Sequence, residues 1–412
     1  MKETNTNTKR IIFINRFFYP DYSATSQLLT DLAQRLVNDK TSVEIVTSRQ
    51  KYNDAKVGLK KYEKWNGVTI HRIWTTQYGR QNLFGRMLDY LTFYISTLFY
   101  LLIHVRAGDV LVAKTDPPMI SVITVFVTKA KKAILINWIQ DLFPEVARGL
   151  GIKALGVIYP FLVYMRNISL NAAHTNVVLG ERMAERLIEL GVVEDNIRVI
   201  HNWADGDNII PINRKENTLR KEWGIQDKFV VGYSGNIGRA HEFETIIESA
   251  KMLRNECDII FLIIGAGAQY KLLRETVKNS DLKNIIFKPY QPKNMLSVSL
   301  TLPDLHFISL KPEMEGLIVP SKFYGIAAAG RPTLFIGDTE GEIAMIIRKY
   351  LCGISIEVGD VESVTQWIKK LSKSPTICSD MGRAARETYK QVYNKEISIS
   401  AWQRLITENL TI

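Results

Sequence analysis

Short apolar, β-branched runs alternate with amphipathic stretches along the whole chain. In the first half the runs are Ile11–Asn15, Ser42–Thr47, Val68–Trp74, Asp109–Ala113, Ala133–Trp138, Asn176–Leu179 and Arg198–His201. Most are almost continuously apolar, as expected for parallel strands covered by helices on both faces. Between them lie helical patterns; Ser26 to Val37 sets Leu28, Leu29, Leu32 and Leu36 on one face. The second half repeats the scheme with Phe229–Gly232, Asp258–Ile264, Asn284–Phe287, Leu305–Ser309, Thr333–Ile336 and Gly353–Val358. Helices are expected over Glu242–Leu253 and Ala268–Val277. This alternation predicts an α/β protein with a doubly wound parallel sheet in each half.

The two blocks are separated by NWADGDNIIPINRKENTLRKEWG, residues 202–224, which is polar and contains Pro211. The expected domains are 1–205 and 206–389, and a chain of 412 residues is long enough for two cores. The tail, about 390–412, reads as an amphipathic helix with Trp402 and Leu405 on its apolar side, packing back on the first domain.

Residues 90–105, YLTFYISTLFYLLIHV, form an apolar run of sixteen residues rich in Tyr and Phe. That is below the ~20 residues needed to span a bilayer. Three readings stay open: a buried core helix, a helix docked in one leaflet, and a transmembrane span. Net charge bears on the choice. Residues 1–205 hold 26 Lys+Arg and 18 Asp+Glu, a balance of +8, while the remainder holds 27 and 24, a balance of +3. A basic first half suits anionic lipid or a phosphorylated substrate. Nucleic acid is not expected, because no recognition-helix, aromatic RNA or zinc-finger pattern is present. The polar start MKETNTNTKR lacks the apolar core of a signal peptide, so the expected location is cytoplasmic. Cys257, Cys352 and Cys378 follow no ligand spacing and read as reduced thiols.

Candidate chemistry collects after strands. In VVGYSGNIGRAHEFETIIESA, Gly235, Asn236 and Gly238 form a loop before an expected helix, a place where backbone N–H groups hold phosphate. Arg239 and His241 would add contacts to a diphosphate. The glycines could equally serve packing alone. FLIIGAGAQYKLL has Gly265 and Gly267, but Tyr270 stands where a dinucleotide fingerprint needs glycine, which argues against an NAD enzyme. PEMEGLIVPSKFYGIAAAGRPTLF offers Glu313 and Glu315, then Ser321 and Lys322 at the start of a small-residue helix. In the first half, Ser23 and Thr25 lie in a small polar loop at a helix start. Asp116, Gln140, Asp141 and Glu145 follow later strands, each able to serve instead as a cap or surface charge.

Taken together, FFYPDYSATSQLLTDLA, TDPP, NWIQDLFPEV, YSGNIGRAHEFETII, IIGAG and VPSKFYGIAAAGRP resemble glycosyltransferase family 4 over almost the whole chain. The likeness is to the subgroup with the colanic-acid-type fucosyltransferase and the O-antigen and exopolysaccharide transferases. It implies the GT-B architecture, two Rossmann-like domains facing a cleft. It also implies retaining, metal-independent transfer from a nucleotide sugar (UDP- or GDP-linked), with no cofactor. By this resemblance the donor diphosphate lies against Gly235, Asn236, Gly238 and Arg239, and the base near Lys288, Pro289 and Tyr290. Glu315, Ser321 and Lys322 then face the sugar or diphosphate, and Asp141 positions or deprotonates the acceptor hydroxyl. The family's second glutamate falls at Gly325 and its first at Leu317, so Glu315 stands in for the first. The expected acceptor is a polyprenyl-diphosphate-linked glycan at an anionic membrane surface, with the enzyme peripheral on its inner face. The competing readings are a nucleotide-sugar 2-epimerase of the same fold and a non-enzymatic basic protein that holds lipid or nucleic acid.

Overall fold

The computed structural model describes residues 9–38, 41–79, 83–152 and 156–411. The polar start, residues 1–8, lies outside them. The chain forms two compact units: residues 1–200 with 399–412, and residues 201–398.

The first unit is built on eight strands: β1 (Lys9–Ile14), β2 (Thr41–Ser48), β3 (Tyr62–Trp65), β4 (Val68–Ile73), β5 (Val110–Lys114), β6 (Ile134–Trp138), β7 (Thr175–Val178) and β8 (Ile197–Val199). They lie in the order β3-β4-β2-β1-β5-β6-β7-β8. All neighbours are parallel except β3 and β4, an antiparallel hairpin. Its turn is Asn66–Gly67, with φ of +47° and +81°, the conformation that matches strand twist in a two-residue hairpin. The wholly parallel expectation therefore needs this one edge correction. β1 and β5 are buried along their apolar residues, as parallel strands with two covered faces must be.

Three helices share the core on one face of this sheet: α2 (Leu83–His104), α3 (Ile120–Lys131) and the helix Tyr159–Ala172, with α3 packed against both others. On the chain's first helix, α1 (Ala24–Leu36), Leu28, Leu29, Leu32 and Leu36 are all buried. The C-terminal helix, Lys395–Thr411, contributes Trp402, fully buried with its ring 4.6 Å from that of Trp138.

α2 is longer than the sixteen-residue apolar run, because the helix starts at Leu83 and spans 22 residues. By length and composition alone it could cross a membrane, and only 22% of its apolar window is buried. Asp89, Phe93, Thr97 and Leu101, four residues apart, form the stripe laid on the sheet. Met87, Leu91, Ile95, Phe99 and Ile103 form an opposite stripe, 47–74% exposed. Of the three open readings, a helix buried all round does not hold: one narrow stripe is core and the opposite one is exposed.

The second unit has β9 (Phe229–Asn236), β10 (Ile259–Ala266), β11 (Ile285–Lys288), β12 (Leu305–Ser309), β13 (Thr333–Ile336) and β14 (Gly353–Ile356). The order β11-β10-β9-β12-β13-β14, all parallel, is that of a dinucleotide-type sheet. Its main core, including Val231, Phe261, Phe307 and Leu334, lies on one face of the sheet, and Leu219, Val230, Leu262 and Leu302 close the other.

Asp89 holds α2 to the sheet of the first unit. It is fully buried and pairs with buried Arg16 at 3.1 Å. It also accepts from Thr76 Oγ1 at 2.7 Å, Tyr78 N at 3.1 Å and Gly79 N at 3.0 Å. Removing one partner strands a buried charge, so Asp89→Ala should cost about 3–5 kcal/mol. Arg16→Met in the Asp89→Ala background should cost about 1–3 kcal/mol less than alone. Urea unfolding of the four proteins measures this; strictly additive losses would refute the coupling.

Candidate functional site

In an open α/β sheet, ligands bind beyond the carboxyl ends of the strands where strand order reverses. In the second unit that point lies between β9 and β12. β9 and β10 stay in register to their ends, Gly235 opposite Gly265 and Asn236 opposite Ala266. They approach so closely that a Cβ on Gly265 would stand 2.0 Å from the Gly235 carbonyl oxygen. The helix after β9 begins only at Glu244, so Gly235 and Gly238 do not sit at a helix N-terminus. That expectation is corrected: the glycines clear backbone and side-chain space.

Gly235 clears space for Lys322. A Cβ on Gly235, whose φ is +138°, would meet Lys322 Cε at 2.8 Å. Lys322 therefore runs over bare backbone, and its Nζ lies 2.8 Å from His241 Nε2 and 5.2 Å from the centre of the Tyr233 ring. His241 Nδ1 lies 2.5 Å from the carbonyl oxygen of Ser309. A carbonyl only accepts, so Nδ1 carries the proton and the bare Nε2 accepts from the Lys322 ammonium. Burial lowers Lys322 to about 8. Burial first, and then the charge of Lys322, lowers His241 to about 4. His241 was expected on the diphosphate; both its ring nitrogens are instead committed within the protein.

Other predicted residues divide. Arg239 is exposed, with no side-chain partner among the described residues. Asn236 and Ser321 are exposed too, and Ser321 precedes the short helix Lys322–Ala328 without capping it. Tyr290 is 54% exposed, its hydroxyl 3.3 Å from the Ala266 carbonyl, which stands its ring beside the glycine strand ends. Lys288 points elsewhere, its Nζ 4.7 Å from the centre of the Trp223 ring. Glu315 is likewise corrected: its Oε1 accepts from Glu342 N at 2.9 Å, at the start of the helix Glu342–Tyr350. A carboxylate there complements the helix dipole. At Gly325 a Cβ would meet only Leu300 Cδ1, at 3.4 Å, so no backbone contact forces glycine.

In the first unit the order reverses between β1 and β5. Thr25 Oγ1 lies 3.3 Å from Asp116 Oδ2. Lys114, fully buried at the end of β5, donates to the Thr25 carbonyl at 3.0 Å and sits 3.6 Å over the Trp138 ring. Burial lowers its pKa well below the ordinary value, against the pull of Asp116. The Ser23 hydroxyl is buried and unbonded among the described residues. Asp141 follows β6 and keeps an exposed surface, yet protein crowds it enough to desolvate the carboxylate. That burial, with repulsion from Asp116, raises the acid to about 6. Glu145 is engaged away from this group in a two-pronged pair with Arg166, at 2.5 and 3.0 Å. Lys114 escaped the sequence reading; its signal is a lysine ending an apolar strand, just before Thr115 and Asp116. Among the described residues no cluster of three His, Cys, Asp or Glu is placed to hold a metal ion.

A family model described as glycosyl transferases group 1 matches residues 215–388, and a glycosyl transferase 4-like domain matches residues 24–203. The chain is similar to the putative colanic acid biosynthesis glycosyl transferase WcaI of Escherichia coli (strain K12), with 22% identity covering 92% of this chain and 95% of that one. It is also similar to the probable glycosyltransferase WbjE of Pseudomonas aeruginosa, with 25% identity covering 71% of this chain and 73% of the relative. In fold it is similar to Anabaena Alr3699/HepE, solved in complex with UDP, with a TM-score of 0.71 at 12% identity over 98% and 99% of the two chains.

With its pKa lowered to about 8, the Lys322 ammonium loses its proton progressively as pH rises through that value. An anion bound there raises this pKa, so nucleoside diphosphate affinity should fall as pH rises through 8, toward about tenfold per pH unit. Calorimetric titration from pH 7 to 9.5 checks this. Lys322→Met should bind more weakly with a flat profile over that range; an unchanged slope would exclude Lys322 as its source.

Proposed function

The chain belongs to the group 1 glycosyltransferases of GT-B fold, enzymes of polysaccharide biosynthesis among its relatives, and on that premise we propose that it moves a sugar, with retention, from a UDP- or GDP-sugar to a lipid-linked glycan. The observation that carries this is the close approach of the strand ends at Gly235 and Gly265, with the half-buried Lys322 side chain running over Gly235. A diphosphate needs close backbone approach and fixed positive charge, and both are supplied there. The UDP held by the similar Anabaena protein favours a UDP-sugar.

As the sugar–phosphate bond ionises, charge grows on the leaving diphosphate. Lys322 and the exposed Arg239 stabilise it, and the reading needs no metal. Tyr290 offers its ring to the nucleobase. The acceptor hydroxyl attacks from the face the diphosphate leaves, with Asp141 orienting it or taking its proton. Asp141 acts in its carboxylate form, so the rate should rise with pH through about 6. Asp141→Asn should lower kcat by about 10²–10⁴ without altering nucleotide affinity.

Thermal stabilisation by a panel of UDP- and GDP-sugars tests the donor. A nucleotide at 100 times its Kd should add about 2.7 kcal/mol. No shift with any nucleotide at millimolar concentration would remove the donor site. Turnover of the donor to an isomer without acceptor would mark an epimerase instead. In the transfer assay, EDTA should leave the rate unchanged.

We also propose that the enzyme works peripherally on the inner face of the cell membrane. The bare stripe of α2 is continued by Phe126 on α3, 60% exposed, and by Phe161 and Tyr164 on the next helix, 62% and 63% exposed. α3 packs beside both neighbours and buries Val125 and Val127 on either side of Phe126, which turns Phe126 away from the sheet. Asp89, buried on Arg16, is the sole carboxylate of these three helices, whereas Arg106, Lys129 and Lys132 stand exposed at their ends. Apolar surface with exposed cations at its helix ends suits an anionic leaflet. The purified protein should float with anionic vesicles and release partly at high salt. Leu91→Asp with Phe99→Asp should abolish flotation and leave nucleotide affinity intact; retained flotation would sink this reading.

A further inference from the structure

We propose that His241 is a positioning residue that sets Lys322 for the donor diphosphate, and is not itself a phosphate ligand. The inference rests on the nucleotide-sugar reading of this site.

Taking an ammonium partly out of water is costly. Half-buried, Lys322 loses part of its shell of water acceptors, and a cation there with no partner would shed its proton or swing outward. Among the described residues its Nζ has one hydrogen-bond acceptor, His241 Nε2 at 2.8 Å, besides the face of Tyr233. Two of its three N–H donors thus stay available beside Gly235. An imidazole serves as acceptor only if its other nitrogen keeps the proton, and the Ser309 carbonyl enforces that tautomer. Ser309 is the last residue of β12, one of the two strands at the reversal of the sheet. The loop that carries His241 is held in turn: Gln269 Nε2 donates to the carbonyls of Gly238 and His241, and Lys311 N to that of Ala240. The ammonium is therefore referenced to the sheet through a neutral relay. A carboxylate in place of His241 would quench the positive charge that the diphosphate requires. The neutral imidazole fixes the ammonium and leaves its charge unspent.

The groups facing His241 are Lys322, the rings of Tyr233 and Phe243, and the Ser309 carbonyl. Removing the imidazole by His241→Phe keeps the burial and deletes the acceptor. Affinity for UDP should then drop about tenfold, the worth of one hydrogen bond to a charged group, while affinity for uridine stays put. His241→Gln, which restores an acceptor oxygen, should recover most of the loss. In a Lys322→Met background, His241→Phe should have no further effect. Without any ligand, the Lys322 Nζ pKa followed by NMR should fall in His241→Phe. That last readout also decides if the parent protein binds no nucleotide, an outcome that would count against the donor reading alone. The proposal is overturned if His241→Phe leaves the Lys322 pKa unmoved, or weakens UDP equally with and without Lys322.

Discussion

Right-handed crossovers impose one constraint on each sheet from which the rest follows. A parallel sheet that grows outward from its middle must send the connections of two adjacent strands to opposite faces. In the first unit those strands are β1 and β5, in the second β9 and β12. Their loops diverge, and the carboxyl ends between them stay uncovered. Ser23, Thr25, Lys114 and Asp116 stand at the first opening, and Gly235, His241, Ser309 and Lys322 stand at or pack against the second. Glycine is required where a second strand end or a lysine side chain presses into that opening, which is why Gly265 and Gly235 tolerate no Cβ.

Basic side chains near these openings share one kind of neighbour, an aromatic ring face. Lys114 lies over Trp138 at 3.6 Å, Lys322 over Tyr233 at 5.2 Å, and the Arg16 guanidinium over Tyr90 at 4.9 Å. A ring face attracts a cation without neutralising it. The polar partner then sets the role. Arg16 has the Asp89 carboxylate and is structural, joining α2 to the sheet. Lys114 has a backbone carbonyl, and so fixes the loop that carries Thr25. Lys322 has a neutral imidazole and keeps its charge for a ligand.

Strand and helix periodicity made both sheets legible, because parallel strands with two covered faces read as apolar runs. The hairpin strand β3 was missed although Asn66–Gly67 is a strong turn signal; Tyr62–Trp65, half polar on an edge, gave no apolar run. At the strand ends, local sequence marked the loops at the reversal of each sheet but not what each side chain does there. Glu315 looked like chemistry and caps a helix that begins 27 residues later. His241 looked like a phosphate contact, and its partners, Ser309 and Lys322, lie 68 and 81 residues away. Such roles are set by tertiary pairing, which no window of sequence contains.

α2 carries that lesson furthest. Both its stripes repeat every four residues, and hydropathy alone would bury the more apolar one. The structure does the reverse: the stripe with Asp89 and Thr97 faces the sheet, and the one with Met87, Leu91, Ile95, Phe99 and Ile103 faces outward. A carboxylate is costly to bury without a partner, so Asp89 turns inward only because Arg16 and three further donors wait there. The buried charge thereby fixes the rotation of the helix and obliges the apolar stripe to face out. A stripe held outward by a specific ion pair is placed there by the fold and not by its own hydropathy.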